Sequence, residues 1–310
     1  MIPIRPDITV IGSINMDLVI RCASLPRPGE TISAESSAEV CGGKGANQAV
    51  AAARSGGNVT MIGRVGDDAF ADRLVGNLKQ EQICCDAVQV TNNCASGLAI
   101  VAVEDSGQNA IMVVPGANER VSVEDVQAAQ SVIAASDMVL LQLETPIDAV
   151  IAAKEIATEA GVRVILDPAP APVNWPRDLL NVDVLCPNES EAATLVESPV
   201  ESTDDAATAA CRIHELGARK VAITLGEAGT MVCEGTSPRL IEPSVVTPVD
   251  TTAAGDAFAG ALAVHWAEGA EFVDAVRFAN AAGALAASRE GAQPGMAMRE
   301  EIEAFLKGQR

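Results

Sequence analysis

Apolar residues fall in short runs of four to six, and stretches of helical length with three-to-four-residue periodicity separate most of them. Strands are predicted at 8–11, 59–62, 138–143, 162–166, 182–185 and 221–224. Helices are predicted at 47–55, 68–80, 148–160, 189–195, 203–216, 255–266 and 299–306. Near-continuous apolar strands alternating with helices imply a parallel sheet covered on both faces. Two stretches break the alternation. Residues 17–40 and 98–114 look like strands and turns with no helix between them, and 104–109 has a turn composition. They read either as a small sheet projecting from the main domain, built from sequence-distant pieces and able to act as a lid, or as an edge hairpin on the main sheet.

Composition narrows the function. The chain has 310 residues, with 21 Lys and Arg against 42 Asp and Glu, a net charge of −21. No excess of cations is available to displace counterions from a nucleic acid, and with 2% aromatics and no Tyr there are few base-stacking platforms. A phosphate group remains a possible ligand, because a few backbone amides can hold one. The start of the chain lacks a basic segment followed by a long apolar one, and no apolar run is long enough to span a bilayer. The eight cysteines form no C-x-x-C pair and no zinc spacing, so reduced thiols in a cytoplasmic setting are expected. His214 and His265 lie in helical patterns with no motif partner, and neither is assigned catalysis or metal binding.

Five clusters carry candidate chemistry. Gly12-Ser13-Ile14-Asn15-Met16-Asp17 follows the first strand, where open α/β sheets bind ligands. Asn15 and Asp17 are two apart and share a face if the chain stays extended. An amide and a carboxylate there suit a polyol, whose hydroxyls need both donors and acceptors; a solvated turn is the alternative. Gly42-Gly43-Lys44-Gly45-Ala46-Asn47 opens a helix with a closely approachable backbone, a cation and an amide. It is not a P-loop, and a tight turn is the alternative. Asp250-Thr251-Thr252-Ala253-Ala254-Gly255-Asp256 begins another helix. Its small residues leave amides uncovered as an anion hole, with Asp256 at its edge to take a proton from an attacking hydroxyl; an ordinary acidic residue in a first helical turn is the alternative. Pro187-Asn188-Glu189-Ser190-Glu191 follows a strand and suits either a hydrated Mg²⁺ or a capping box. Thr224-Leu225-Gly226-Glu227-Ala228-Gly229 is either a nucleotide-shaping turn or a hairpin turn.

Taken together and in this order, the five clusters resemble the ribokinase-like carbohydrate kinases, the PfkB family, over nearly the whole chain. The Lys44 cluster and the Asp250–Asp256 signature carry most of the resemblance. It implies a three-layer α/β/α domain over 1–310 with a mostly parallel central sheet, and a small β-sheet lid from about 17–40 and 97–115. It implies phosphorylation of D-ribose at O5 by ATP, with Asp256 as base and Ala253, Ala254 and Gly255 as the anion hole. Asn15, Asp17, Gly43, Lys44, Asn47, Glu144 and Asp256 would hold the sugar. Asn188, Thr224, Leu225, Gly226, Glu227, Ala228, Gly229, Gly255 and Asn280 would serve the nucleotide. Glu191 would support Mg²⁺ through water, and Asp250, Thr252, Ala286, Arg289 and Gly291 would hold K⁺. Gly295 departs from the family, which often has Ser there. A homodimer through the lid sheet is implied, with no nucleic-acid or membrane partner.

Other readings stay open at this level: a kinase for deoxyribose or a nucleoside, a non-catalytic sugar sensor, or a dehydrogenase. The last is disfavoured because no G-x-G-x-x-G follows the first strand.

Overall fold

A computed structural model describes residues 5–104, 109–172 and 174–309. The start of the chain and most of the turn expected at 104–109 lie outside the described residues. Nine strands form the main sheet: β1 (Asp7–Ile11), β4 (Asn58–Val65), β5 (Cys84–Val90), β8 (Met138–Leu141), β9 (Arg163–Leu166), β10 (Val184–Leu185), β11 (Lys220–Thr224), β12 (Thr230–Cys233) and β13 (Pro238–Ile241). Their order is β13-β12-β11-β10-β9-β8-β1-β4-β5. Pairing is parallel from β11 through β5, and β11, β12 and β13 close the other edge as an antiparallel meander.

The inner strands, such as β8, are mostly apolar because both faces are covered. In β8, Met138 and Leu140 point into one core with the helices Lys44–Arg54, Ala254–Ala267 and Phe272–Ala287. Val139 and Leu141 point into the other, with Ile147–Glu159, Glu189–Val196 and Thr203–Glu215. All four side chains are fully buried, each stabilising the fold by about 1.5–3 kcal/mol. The Ala254–Ala267 helix is apolar on every side because it is packed on every side, as such a helix must be. At Gly260 an added β-carbon would sit 2.6 Å from the Ala51 β-carbon, so the backbones of this helix and Lys44–Arg54 can approach closely only with glycine there. That contact brings two helix starts together.

The two stretches outside the alternation form a second, four-stranded sheet, settling the choice against an edge hairpin. Its order is β3-β2-β6-β7, from β2 (Asn15–Cys22), β3 (Ser36–Gly42), β6 (Gly97–Glu104) and β7 (Asn109–Val114). β2 and β6 pair in parallel, and the outer strands pair antiparallel. On β7 the run Ile111, Met112, Val113 and Val114 is 48–60% exposed. The helix Phe272–Ala287, the strand β5 and the short edge strands β12 and β13 go beyond the elements the sequence predicts.

Candidate active site

The site is built at the carboxyl ends of β1, β8, β9, β10 and β11, the usual ligand edge of an open α/β sheet. β1 runs into Gly12-Ser13-Ile14 and then turns directly into β2. Asn15 and Asp17 fall in β2, so they share a face of the small sheet. Asn118 fixes this crossing: its Oδ1 accepts from the Ile14 N–H at 2.9 Å and its Nδ2 donates to Asn15 Oδ1 at 2.6 Å. The Asp17 carboxylate lies over Gly42, where a β-carbon would meet Oδ2 at 2.0 Å.

The helix Lys44–Arg54 starts from Gly43 at φ +90°, with no side-chain cap. A β-carbon on Gly43 would lie 2.7 Å from the Asn15 nitrogen, so glycine satisfies both the positive φ and the close approach. Glu144, just beyond β8, joins this start: its Oε2 accepts from the Ser13 hydroxyl and, at 3.3 Å, from the Lys44 N–H.

The helix Ala254–Ala267 also starts uncapped, from Ala253 in the left-handed region at φ +59°. A methyl group there costs about 1–2 kcal/mol. Nothing lies within 4 Å of a β-carbon placed on Gly255, so the first turn is open there, while the Ala254 N–H donates to the Thr251 carbonyl at 3.2 Å. Asp256 is buried at 4% exposure. Its two oxygens are held separately: Oδ2 accepts from Asn47 Nδ2 at 3.0 Å and Oδ1 from Gln48 Nε2 at 3.1 Å.

Burial and crowding of acids set the protonation states. Burial, with Glu144 and Asp256 nearby, pushes the Asp17 carboxyl up to about 7. Burial likewise pushes Asp167, at the end of β9, up to about 8, with Lys44 opposing. Burial raises Glu191 as well, against the Asn188 N–H and Lys44. For Lys44 burial acts downward, but Asp256, Asp167, Glu144 and Glu191 outweigh it and hold the ammonium above its ordinary range. One cation thus stands among several acids of mixed protonation.

The remaining predicted residues separate into two groups. Asn188 and Glu191 form a full capping box: Asn188 Oδ1 accepts from the Glu191 N–H and Glu191 Oε2 from the Asn188 N–H, both at 2.9 Å. Residues 224–229 form the β11–β12 connection around a short 3₁₀ turn, Gly226–Ala228, so the hairpin reading is correct for the backbone. Thr224 bridges to Asn188, which places that turn beside the cap. Asn280 accepts from Thr230 Oγ1 at 2.6 Å and donates to the Glu242 carbonyl at 3.2 Å, pinning the β12–β13 edge. Asp250 is held below the usual carboxylate range: burial acts upward, but N–H groups of Thr252 and Gly291 and the Thr252 side chain outweigh it. Its Oδ2 accepts from Gly291 at 3.0 Å, joining the loop before the anion hole to the loop around 291.

Sequence reasoning missed Gln48, Gln142, Asp167 and Gln293. All four are buried and all contact the predicted set or each other. Gln48 follows Asn47 in an otherwise small, apolar helix, and Asp167 directly follows a strand at its carboxyl end; those were the available signals. Two concavities lie elsewhere, of 430 Å³ beside Ala207, Cys211 and Pro238, and of 270 Å³ at the amino ends of β1 and β4. Neither includes any of these residues. The site is marked by converging polar groups rather than by cavity size.

Among the described residues no helix is long and apolar enough to cross a membrane, and no group of three or more His, Cys, Asp or Glu side chains is arranged to hold a metal ion. Residues 5–298 match the family model of the pfkB family carbohydrate kinases. The ribokinase of Haemophilus influenzae is 38% identical over 303 residues, 98% of this chain and 99% of the relative. That of Bacillus subtilis is 40% identical over 300 residues, 97% and 99% of the two chains. The structure of Arabidopsis thaliana ribokinase complexed with ribose and ATP superposes with a TM-score of 0.88 at 35% identity, covering 98% of this chain and 99% of that one. With a family match over residues 5–298 and near-full-length similarity in sequence and in fold, the chain belongs to the pfkB family of carbohydrate kinases.

Proposed function

We propose that the chain transfers the γ-phosphoryl group of ATP to O5 of D-ribose. The observation that carries this reading is a buried carboxylate, Asp256, clamped at both oxygens in the first turn of a helix that is open at Gly255. Asp256 takes the proton of the 5-hydroxyl as O5 attacks in line. The amides at 253–255 stabilise charge gathering on the transferring group. Asn15, Asp17, Gly43, Lys44, Asn47 and Glu144 hold the sugar, where a carboxyl near its midpoint at neutral pH and an ammonium satisfy both kinds of hydroxyl partner. Thr224 to Gly229 and Asn280 border the nucleotide. The small sheet covers the sugar and excludes water, which limits ATP hydrolysis. The exposed apolar run on β7 is the surface through which two copies pair. A reducing, cytoplasmic setting suits the eight free thiols.

Asn188 and Glu191 support Mg²⁺ through water. The cap engages Glu191 Oε2, so the fit relies on Oε1 and on the raised carboxyl remaining able to ionise beside a cation. Bound Mg²⁺ would supply neutralisation of the polyphosphate charge. For K⁺, a β-carbon on Gly295 would lie 3.1 Å from the Ala286 carbonyl and 3.5 Å from that of Arg289, so the backbone oxygens of the expected ligands converge at residue 295. Residue 295 offers no side-chain oxygen, which leaves Asp250, Thr252 and the carbonyls of Ala286, Arg289 and Gly291 as the ligand set.

ADP release measured with ATP alone, then with ribose, deoxyribose or a nucleoside, each with and without K⁺, tests the reading. Ribose is expected to give the highest kcat/KM, and K⁺ to raise it. Sugar-independent ADP release, or a clear preference for another acceptor, would overturn the ribose assignment.

A further inference from the structure

We infer that Gln48 is a positioning residue for the proposed base, aiming the Asp256 carboxylate by tying it to a second buried carboxyl, Asp167. The inference rests on the reading of Asp256 as base. Gln48 is fully buried, and its side-chain amide makes three hydrogen bonds. Its Nε2 donates to Asp167 Oδ2 at 2.8 Å and to Asp256 Oδ1 at 3.1 Å, while its Oε1 accepts from Gln142 Nε2 at 2.6 Å. That third contact fixes the amide orientation. Turned over, Gln48 would present an oxygen to two carboxyls and a nitrogen to another nitrogen. On the other side, Asn47 is oriented the same way: Gln293 Nε2 donates to Asn47 Oδ1 at 3.0 Å, leaving Asn47 Nδ2 to face Asp256.

A base needs this arrangement here. Asp256 is buried, and the acids Asp17 on β2, Asp167 after β9 and Glu191 on the Glu189–Val196 helix all interact with it electrostatically, as does the Lys44 ammonium. Burial and neighbouring acids favour the protonated form, which cannot accept a proton. Two donated hydrogen bonds favour the ionised form. Asp167 is the group best able to share Gln48 without repelling Asp256, because burial keeps its own proton on up to about 8.

The test compares pH profiles of kcat/KM for wild type, Gln48→Met and Asp256→Asn. Gln48→Met is expected to move the acid limb up by about one pH unit, the order of one lost hydrogen bond to a charged group. Activity should fall most at the acid end of the profile and recover as pH rises, with the KM for ribose little changed. A side chain that matters only for packing would lower activity evenly across pH. If Gln48→Met folds poorly because Asp167 loses its donor, the pair Q48M/D167A removes both, and its acid limb is compared with that of Asp167→Ala alone. An unmoved acid limb in both comparisons, with Asp256→Asn inactive, overturns the role of Gln48 and leaves the base reading intact. Near-normal turnover by Asp256→Asn overturns the base reading itself.

Discussion

The molecule has two kinds of helix start. The helices Lys44–Arg54 and Ala254–Ala267 begin from residues at positive φ, Gly43 and Ala253, with no side-chain cap. Glu189–Val196 and Thr203–Glu215 begin from Asn188 and Ser202, whose side chains accept from N3 amides. Capping contributes about 1 kcal/mol per helix; the first pair forgoes it, and Ala253 adds strain. These two helices both begin beside Asp256. In place of a cap, Glu144 and Ser13 side chains accept from the Lys44 and Gly45 N–H groups, and the Thr251 carbonyl accepts from the Ala254 N–H.

The largest expected effect breaks the catalytic side of that comparison. Asp256→Asn keeps the size and one of the two accepted hydrogen bonds but removes the proton acceptor. A kcat loss of at least ~10² is expected, with ribose binding by calorimetry retained. Retained turnover would mean that the bare helix start does no chemistry with this carboxylate.

A smaller effect separates the capped helices from each other. Asn188→Ala and Ser202→Ala should each lower stability by about 1 kcal/mol, read from denaturant midpoints. Only Asn188→Ala should raise the KM for ATP, because Asn188 bridges to Thr224 at the nucleotide turn. Equal KM values in the two variants would reduce Asn188 to a cap. The sequence alone left that choice open, since a box of Asn and Glu three apart serves either role, and the structure shows that the cap is present whatever else the pair does.

The same distinction explains what could be read in advance. The parallel sheet was legible because its inner strands bury both faces and so are mostly apolar. The small sheet was legible because residues 17–40 and 98–114 lack helical periodicity. The glycine and acid clusters were legible because their chemistry sits within seven residues. Gln48, Gln142 and Asp167 were not, because their meaning lies in contacts 94 to 208 residues apart. A lone glutamine in an alanine-rich helix carries no local mark of its partners. Strands β12 and β13 escaped for a related reason: four residues at a sheet edge, interrupted by turns, leave too little pattern.

The weakest effect concerns pH and stability without ligand. In the unfolded chain Asp17 and Asp167 ionise near 3.8, but folded they hold their protons to about 7 and about 8. The native state therefore binds more protons between these values, and stability declines as pH rises, by at most ~1.4 kcal/mol per pH unit for each group. That contribution is fully present below 3.8 and is lost once pH has passed 7 for Asp17 and 8 for Asp167. Scaffold acids behave oppositely. For Asp125 burial acts upward, but the Arg64 ion pair and the Ser122 N–H outweigh it; for Asp68 the Ser96 side chain and N–H do the same. Their stabilisation is lost only as pH falls through values below 3.8. The window from pH 5 to 7.5 thus isolates the sugar-side acids. The ligand-free Tm should fall across it, and the fall should flatten in Asp167→Asn. A Tm that instead rises toward neutral pH would show that these two carboxyls are ionised in the folded protein, and that the polar cluster around Lys44 is held by charge rather than by shared protons.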